Sequence, residues 1–136
     1  MNDFNSQIVD EFRSTNGVVG GHFEGKHLAL VHVIGRKSGT ERIYPLVYTT
    51  DGDAILVCGS MGGAPQEPQW VANLEAQSEV TVEIPGQTLT TKPTVLRGGA
   101  ERARLYQKLA DYWPDMWEYE QNSTRRFPVI RLDPIG

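Results

Sequence analysis

"KHLALVHVIGRKSGTERIYPLVYTTDGDAILVCGS", residues 26–60, decides the fold. From about residue 27 to 34 the run is almost continuously apolar, broken only by His32. Such a run reads as a strand buried on both faces, as in a barrel or sandwich core. Gly35, Ser38 and Gly39 then turn the chain, and "IYPLVYTT" makes a second strand. Pro45 has no N–H to give to a ladder, so it marks a bulge or a sheet edge. Asp51-Gly52 is a hairpin signal, and "AILVCGS" is the third strand. Three strands joined by two tight turns predict an antiparallel sheet.

The flanking sequence extends that pattern. Phe4, Ile8 and Phe12 recur every fourth residue, Asp3 can cap, and Asn16-Gly17 stops the run. An amphipathic helix is predicted over about 3–15, packed on the domain's own core. Its polar face carries Asp10, Glu11 and Arg13, without the basic face of a membrane-surface helix. "MGGAPQEPQW" is a Gly/Pro-rich loop leading to a helix at about 68–76, with Trp70, Leu74 and Val71 inward. "SEVTVEIPGQTLTTKPTVL" alternates with period two around Pro85-Gly86, giving a fourth and a fifth strand. "GAERARLYQKLADYW" has helical spacing, with Ala103, Leu105 or Tyr106, and Leu109 inward. A short helical piece follows Pro114, and "FPVIRL" is a sixth strand. About six antiparallel strands with peripheral helices predict a mainly β, single-domain chain over 1–136. A small closed or split β-barrel suits it, because closure removes sheet edges.

Bulk properties narrow the function. The 136 residues fit one domain, and the net charge is −4. A nucleic-acid protein would more often be basic, so the local cluster Arg36, Lys37, Arg42 points to a small anionic ligand instead. Cys58 is the only cysteine and has no disulfide partner within the chain. His22, His27 and His32 lack metal-ligand spacing, and no metal is expected. No apolar run approaches the ~20 residues of a membrane span. The N-terminus has no signal-peptide pattern, so a cytoplasmic setting is expected.

Four stretches carry candidate chemistry. In "GRKSGTER" a glycine- and serine-containing turn can expose N–H groups while Arg36, Lys37 and Arg42 add charge, a combination suited to phosphate. A solvated hairpin tip is the bland alternative. In "GSMGG" three glycines between a strand and a helix let a backbone approach a ligand closely. A flexible loop would look the same. In "PQWVANL", Trp70 can cover an apolar ring with Asn73 on the same helix face, or it can simply fill the core. In "YWPDMWEYEQ", clustered aromatics on a proline-broken segment suit either a lid over a planar ligand or a clamp on the barrel end.

Read in order, these motifs are specific. "GRKSGTER-x-x-PL-x-Y", "DGD", "GS-x-GGAP-x-x-P-x-W-x-x-NL-x-A", "ER-x-R" and "P-V-I-x-L-x-P" resemble the deazaflavin (F420)-dependent nitroreductase family, from about residue 11 to Pro134. The resemblance implies a split β-barrel that binds reduced coenzyme F420 and passes a hydride to a quinone, nitroaromatic or activated enone. It gives Arg36, Lys37, Ser38 and Arg42 to the cofactor's phosphate and glutamyl tail. It gives Ile43, Tyr44, Pro45, Leu46 and Val47 to the wall along it, and Cys58, Gly59, Ser60 and Met61 to the loop at the deazaflavin ring. Gln69, Trp70, Val71, Ala72 and Asn73 match the helix that meets the tail. Trp113, Met116 and Tyr119 fall on the substrate side. Ser60 and Tyr119 are the catalytic candidates, placed to hydrogen-bond the ring or the reduced acceptor.

The chain departs from the family pattern at four positions. Met61 replaces a lysine, Val71 replaces an aromatic, and Trp113 and Met116 stand where tyrosines are usual. An FMN-dependent reductase on the same barrel and a non-catalytic F420 carrier are the competing classes. The partner is a small-molecule acceptor, not nucleic acid, membrane contact is not indicated, and the chain is expected to be a monomer or homodimer.

Overall fold

The computed structural model describes residues 3–17, 20, 27–58, 69–114 and 127–135. Three helices and seven strands are found there: α1 (Asp3–Thr15), β1 (Leu28–Ile34), β2 (Glu41–Val47), β3 (Thr49–Asp51), β4 (Ala54–Cys58), α2 (Gln69–Glu75), β5 (Val80–Ile84), β6 (Gln87–Leu96), α3 (Gly99–Tyr112) and β7 (Val129–Pro134). All strands belong to one antiparallel sheet in the order β2-β1-β5-β6-β7-β4-β3.

That order accounts for the one strand beyond the six expected. β2 and β3 lie at opposite ends of the sheet, yet only Tyr48 separates them in the chain. Both conditions hold only if the sheet curls until its two edges approach, which makes a half-barrel. The predicted strand "IYPLVYTT" therefore divides at Tyr48, whose N–H donates to the carbonyl of His27 at 3.1 Å. Its first half pairs with β1 and its second with β4. Pro45 sits opposite Leu30 in β2, the end strand, where a missing donor leaves no ladder bond unmade.

Period-two alternation sorts the side chains. Ala29, Val31, Val33, Ile55, Val57, Val80, Val82, Ile130 and Leu132 point into the curl, where Trp70, Val71 and Leu74 of α2 fill it. Leu28 and Leu30 point outward beneath Ile8, Val9 and Phe12 of α1. Each such burial stabilises by about 1.5–3 kcal/mol. On another outer face Leu56 and Val129 meet Leu105, Tyr106 and Leu109 of α3. β1 is thus covered on both faces, as its unbroken hydrophobicity implies.

Turn chemistry fixes the register. Gly52 (φ 61°) lets Asp51 pair with Ala54, and Pro85 followed by Gly86 (φ 80°) has the pattern of a type II turn joining β5 to β6. α1 ends through Asn16 and Gly17, both at positive φ, with the Gly17 N–H donating to the Phe12 carbonyl at 2.8 Å. A Cβ at Gly17 would lie 2.4 Å from Cγ of Pro85, so this glycine also lets the helix end close onto the β5–β6 turn.

In α3 the inward set differs from the expected one. Ala103 is exposed and Arg102 is buried in its place. The Arg102 guanidinium donates from Nε (3.2 Å) and Nη2 (2.7 Å) to the Phe127 carbonyl and lies 4.3 Å from the centre of the Tyr106 ring. Those partners offset its desolvation and tie α3 to the chain entering β7. Asp51, at the β3–β4 hairpin, receives Arg104 and Lys108 of α3 and Arg131 of β7. Hydrogen bonds from these three cations, Arg104 foremost, hold its carboxyl well below the usual carboxylate range.

Candidate functional site

The basic turn is an ordered loop. Between Ile34 and Glu41, which pair across the ladder, the Gly35 N–H donates to the Thr40 carbonyl (2.9 Å) and the Gly39 N–H to the Gly35 carbonyl (2.9 Å). Ser38 Oγ accepts from the Thr40 N–H at 3.2 Å, and Gly39 takes the positive φ of 72° that the reversal requires.

α2 holds this loop from the side. Asn73 Oδ1 accepts from both the backbone N–H (3.2 Å) and Nη1 of Arg36, while Gln69 Oε1 accepts from Nη2 at 3.2 Å. Gln69 and Asn73, one helical turn apart, share the face turned to the loop. Trp70 faces the core instead, 8% exposed, with its ring 6.0 Å from that of Tyr44. Trp70 and Asn73 therefore do not act on one face as their spacing suggested, and Val71 is fully buried.

Between loop and helix lies a cavity of about 240 Å³. Arg36, Lys37, Ser38, Arg42, Gln69 and Asn73 line it, with Tyr44 and Val33 on the strand side. Gly35 and Thr40 of the loop complete the lining, and seven of the ten residues stand among those the family resemblance gave to the cofactor. Gly35, Thr40 and Val33 were missed, although Val33 is the β1 partner of Arg42 and shares its face by alternation. Among the described residues no carboxylate lines the cavity. Among the described residues Lys37 and Arg42 have no acidic partner, and both are exposed. Two unpaired cations, a third held in a fixed orientation, a hydroxyl and two amides form a site that fits a phosphate or carboxylate ligand. A depression of similar volume beside the end of α1 lacks this character, because its one cation, Arg13, is paired with Glu83 at 2.7 Å.

The remaining candidates divide by position. Along β2, Tyr44 and Leu46 pack toward the α2 side, whereas Ile43 and Val47 pack toward α1 and Pro45 is buried. Side chains of alternate residues can therefore line a ligand on the cavity face, and the others can meet it only through backbone. Ala72 is half-buried on α2. Cys58, at the end of β4, is half-buried and packs against the α3 cluster, as do Leu96 and Trp113. Trp113 caps α3, its N–H donating to the Leu109 carbonyl at 2.8 Å, and packs against both the α3 cluster and the α1 cluster. Beside it the Tyr112 Oη accepts from the His27 N–H at 2.7 Å, and its ring stacks on that of His27 at 5.3 Å. Gly59, Ser60, Met61, Met116 and Tyr119 lie outside the described residues.

Comparison with known proteins bears on the fold and the family. A solved structure described as an F420-H2 dependent reductase (FDR-A) superposes with a TM-score of 0.72 at 27% identity, covering 84% of this chain and all of its own. A structure described as a domain-swapped dimer shares the fold, with a TM-score of 0.74 at 24% identity over 96% of this chain and 98% of the other. The F420H(2)-dependent quinone reductase Rv1261c of Mycobacterium tuberculosis is 32% identical over 124 residues, 89% of this chain and 83% of that protein. The family model for F420H(2)-dependent quinone reductase matches residues 5–134, nearly the whole chain. The chain belongs to the F420H(2)-dependent quinone reductase family.

Proposed function

We propose that the protein transfers a hydride from reduced coenzyme F420 to a quinone, with the cofactor's anionic tail seated in the cavity between the Gly35–Thr40 loop and α2. The observation that carries this reading is the pair Lys37 and Arg42, two cations without acidic partners converging on one cavity. The tail brings a phosphate and several carboxylates, which three cations match. FMN, with a single phosphate and no glutamyl tail, would leave part of that charge unanswered.

The chain's own residues then have distinct tasks. Lys37 and Arg42 bind the tail by charge-assisted hydrogen bonds, and Ser38 adds a hydroxyl. Arg36, spanning Gln69 and Asn73, fixes the loop against α2 so that the two free cations stay in register. β2 leads away from the tail, with Tyr44 and Leu46 offering an apolar wall to the rest of the cofactor. When bound, reduced F420 supplies the hydride, and the protein's share is orientation, exclusion of water and stabilisation of charge on the acceptor. Ser60 and Tyr119 are proposed to donate hydrogen bonds to the ring or the reduced acceptor. Trp113, Met116 and Tyr119 are proposed to border the acceptor. Nitroaromatics and activated enones are proposed as further acceptors, and the setting as cytoplasmic.

Parallel absorbance titrations with F420 and FMN, followed by turnover of F420H2 with menadione, test the proposal. Tight F420 binding and protein-dependent oxidation are expected. Preferential FMN binding would overturn the cofactor assignment, and F420 binding without turnover would make the protein a carrier.

A further inference from the structure

"GRKSGTER" contains one carboxylate, Glu41, adjacent to Arg42, and on the outer face of the sheet His32 reaches it. His32 stands between two acids: Nδ1 lies 3.2 Å from Oε1 of Glu41 and Nε2 lies 2.6 Å from Oε2 of Glu83. The ring thus bridges the two carboxylates, with one nitrogen facing each. Glu83 also accepts both Nε (3.1 Å) and Nη2 (2.7 Å) of Arg13. Arg13, Glu83, His32 and Glu41 thus form one row of polar contacts from the end of α1 to the start of β2.

This row lies behind the cation-lined cavity. Arg42 pairs with Val33, which lines the cavity, whereas Glu41 shares the outward face with Ile43, the partner of His32. Alternation alone does not keep Glu41 there. Its side chain is 53% exposed, and β2 has a ladder neighbour on one side only. A glutamate at such a rim is free to turn round the strand edge toward Arg42 or Lys37. Paired there, it would neutralise a cation that the ligand needs.

We propose that His32 is a positioning residue for the anion cavity: it holds the Glu41 carboxylate on the outer face, leaving Lys37 and Arg42 unpaired for the ligand. The inference rests on anion binding at this cavity, as the reading above requires, but not on the identity of the anion.

Calorimetric titration with inorganic pyrophosphate at low salt, run beside F420, tests it in the parent, His32→Gln, His32→Lys, Glu41→Gln and the double variant His32→Gln/Glu41→Gln. His32→Gln is expected to weaken pyrophosphate about threefold, the size of an added unit charge near the site at low screening. His32→Lys, which places a donor beside Glu41, should keep parent affinity, and Glu41→Gln should bind at least as tightly as the parent. In the Glu41→Gln background the His32→Gln change should have almost no effect. Parent-like affinity in His32→Gln, or the same loss with and without Glu41, would overturn the inference. Should His32→Gln not fold, His32→Lys and Glu41→Gln carry the test, and a threefold loss in His32→Lys is the contrary result. A parent that binds pyrophosphate but not F420 would overturn the cofactor reading and leave this series valid. A parent that binds neither would overturn both.

Discussion

Reversing the charge of Lys37 or Arg42 separates ligand binding from folding more cleanly than any other change in this chain. Both side chains are exposed, and among the described residues neither has an acidic partner. Removing either cation therefore strands no carboxylate. Lys37→Glu and Arg42→Glu should each change stability by no more than about 0.5 kcal/mol. The cost to binding is larger. One lost charge-assisted hydrogen bond is worth about 1.5–3 kcal/mol. Repulsion between the new carboxylate and the ligand adds about 1 kcal/mol at ~4 Å in water. Together these predict a loss of roughly 10²- to 10³-fold in F420 affinity. Absorbance titration at low ionic strength and again near ~0.5 M salt reads this directly, with thermal melts as the control for fold. The difference from the parent should shrink at high salt, where exposed charges are screened within a few ångströms. Parent-like affinity in both variants at low salt would refute the reasoning, and the Gly35–Thr40 loop would revert to a solvated hairpin tip.

Asp51→Asn removes the shared acceptor of Arg104, Lys108 and Arg131. Its carboxyl is held below its ordinary value of 3.8, so its stabilisation is fully present above that pH and is lost as pH falls through the lower folded value. Urea midpoints should show a constant deficit for the variant between pH 7 and 5 that narrows below about pH 4. Trp113→Ala empties a site packed between two clusters and should cost about 2–4 kcal/mol in denaturant melts. An unchanged midpoint would show that its packing carries little energy and favour a role as a mobile lid. Gly17→Ala places a Cβ against Pro85 at a φ of 98° and should destabilise by about 1–3 kcal/mol in denaturant melts, whereas an unchanged midpoint would show that the helix end can shift away from the β5–β6 turn.

How much was legible in the sequence depended on how local the cause was. The hairpins at Asp51-Gly52 and Pro85-Gly86, and the stop at Asn16-Gly17, followed from residues that set their own dihedrals. The two-sided burial of β1 followed from its composition. The division of β2 from β3 at Tyr48 did not, because it results from the curl of the whole sheet and not from any breaker at that residue. Arg102 was not among the inward residues expected in α3, since its acceptor, the Phe127 carbonyl, lies 25 residues away. In α2 the i to i+3 spacing put Trp70 with Asn73, but the core claimed the indole and left the i to i+4 pair Gln69 and Asn73 to the site. The cavity itself was legible because its charges sit in one short loop. The tether from that loop to α2 was not, because Arg36 finds its amides only when β1 and α2 are brought together.

The most direct test of the account is anaerobic mixing of reduced F420 with menadione in the presence of the protein, followed by the return of oxidised F420 absorbance. Protein-dependent, saturable oxidation is expected, suppressed in Arg42→Glu through weaker cofactor binding and restored at high cofactor concentration. Oxidation at the uncatalysed rate, or turnover that requires FMN and ignores F420, would contradict it.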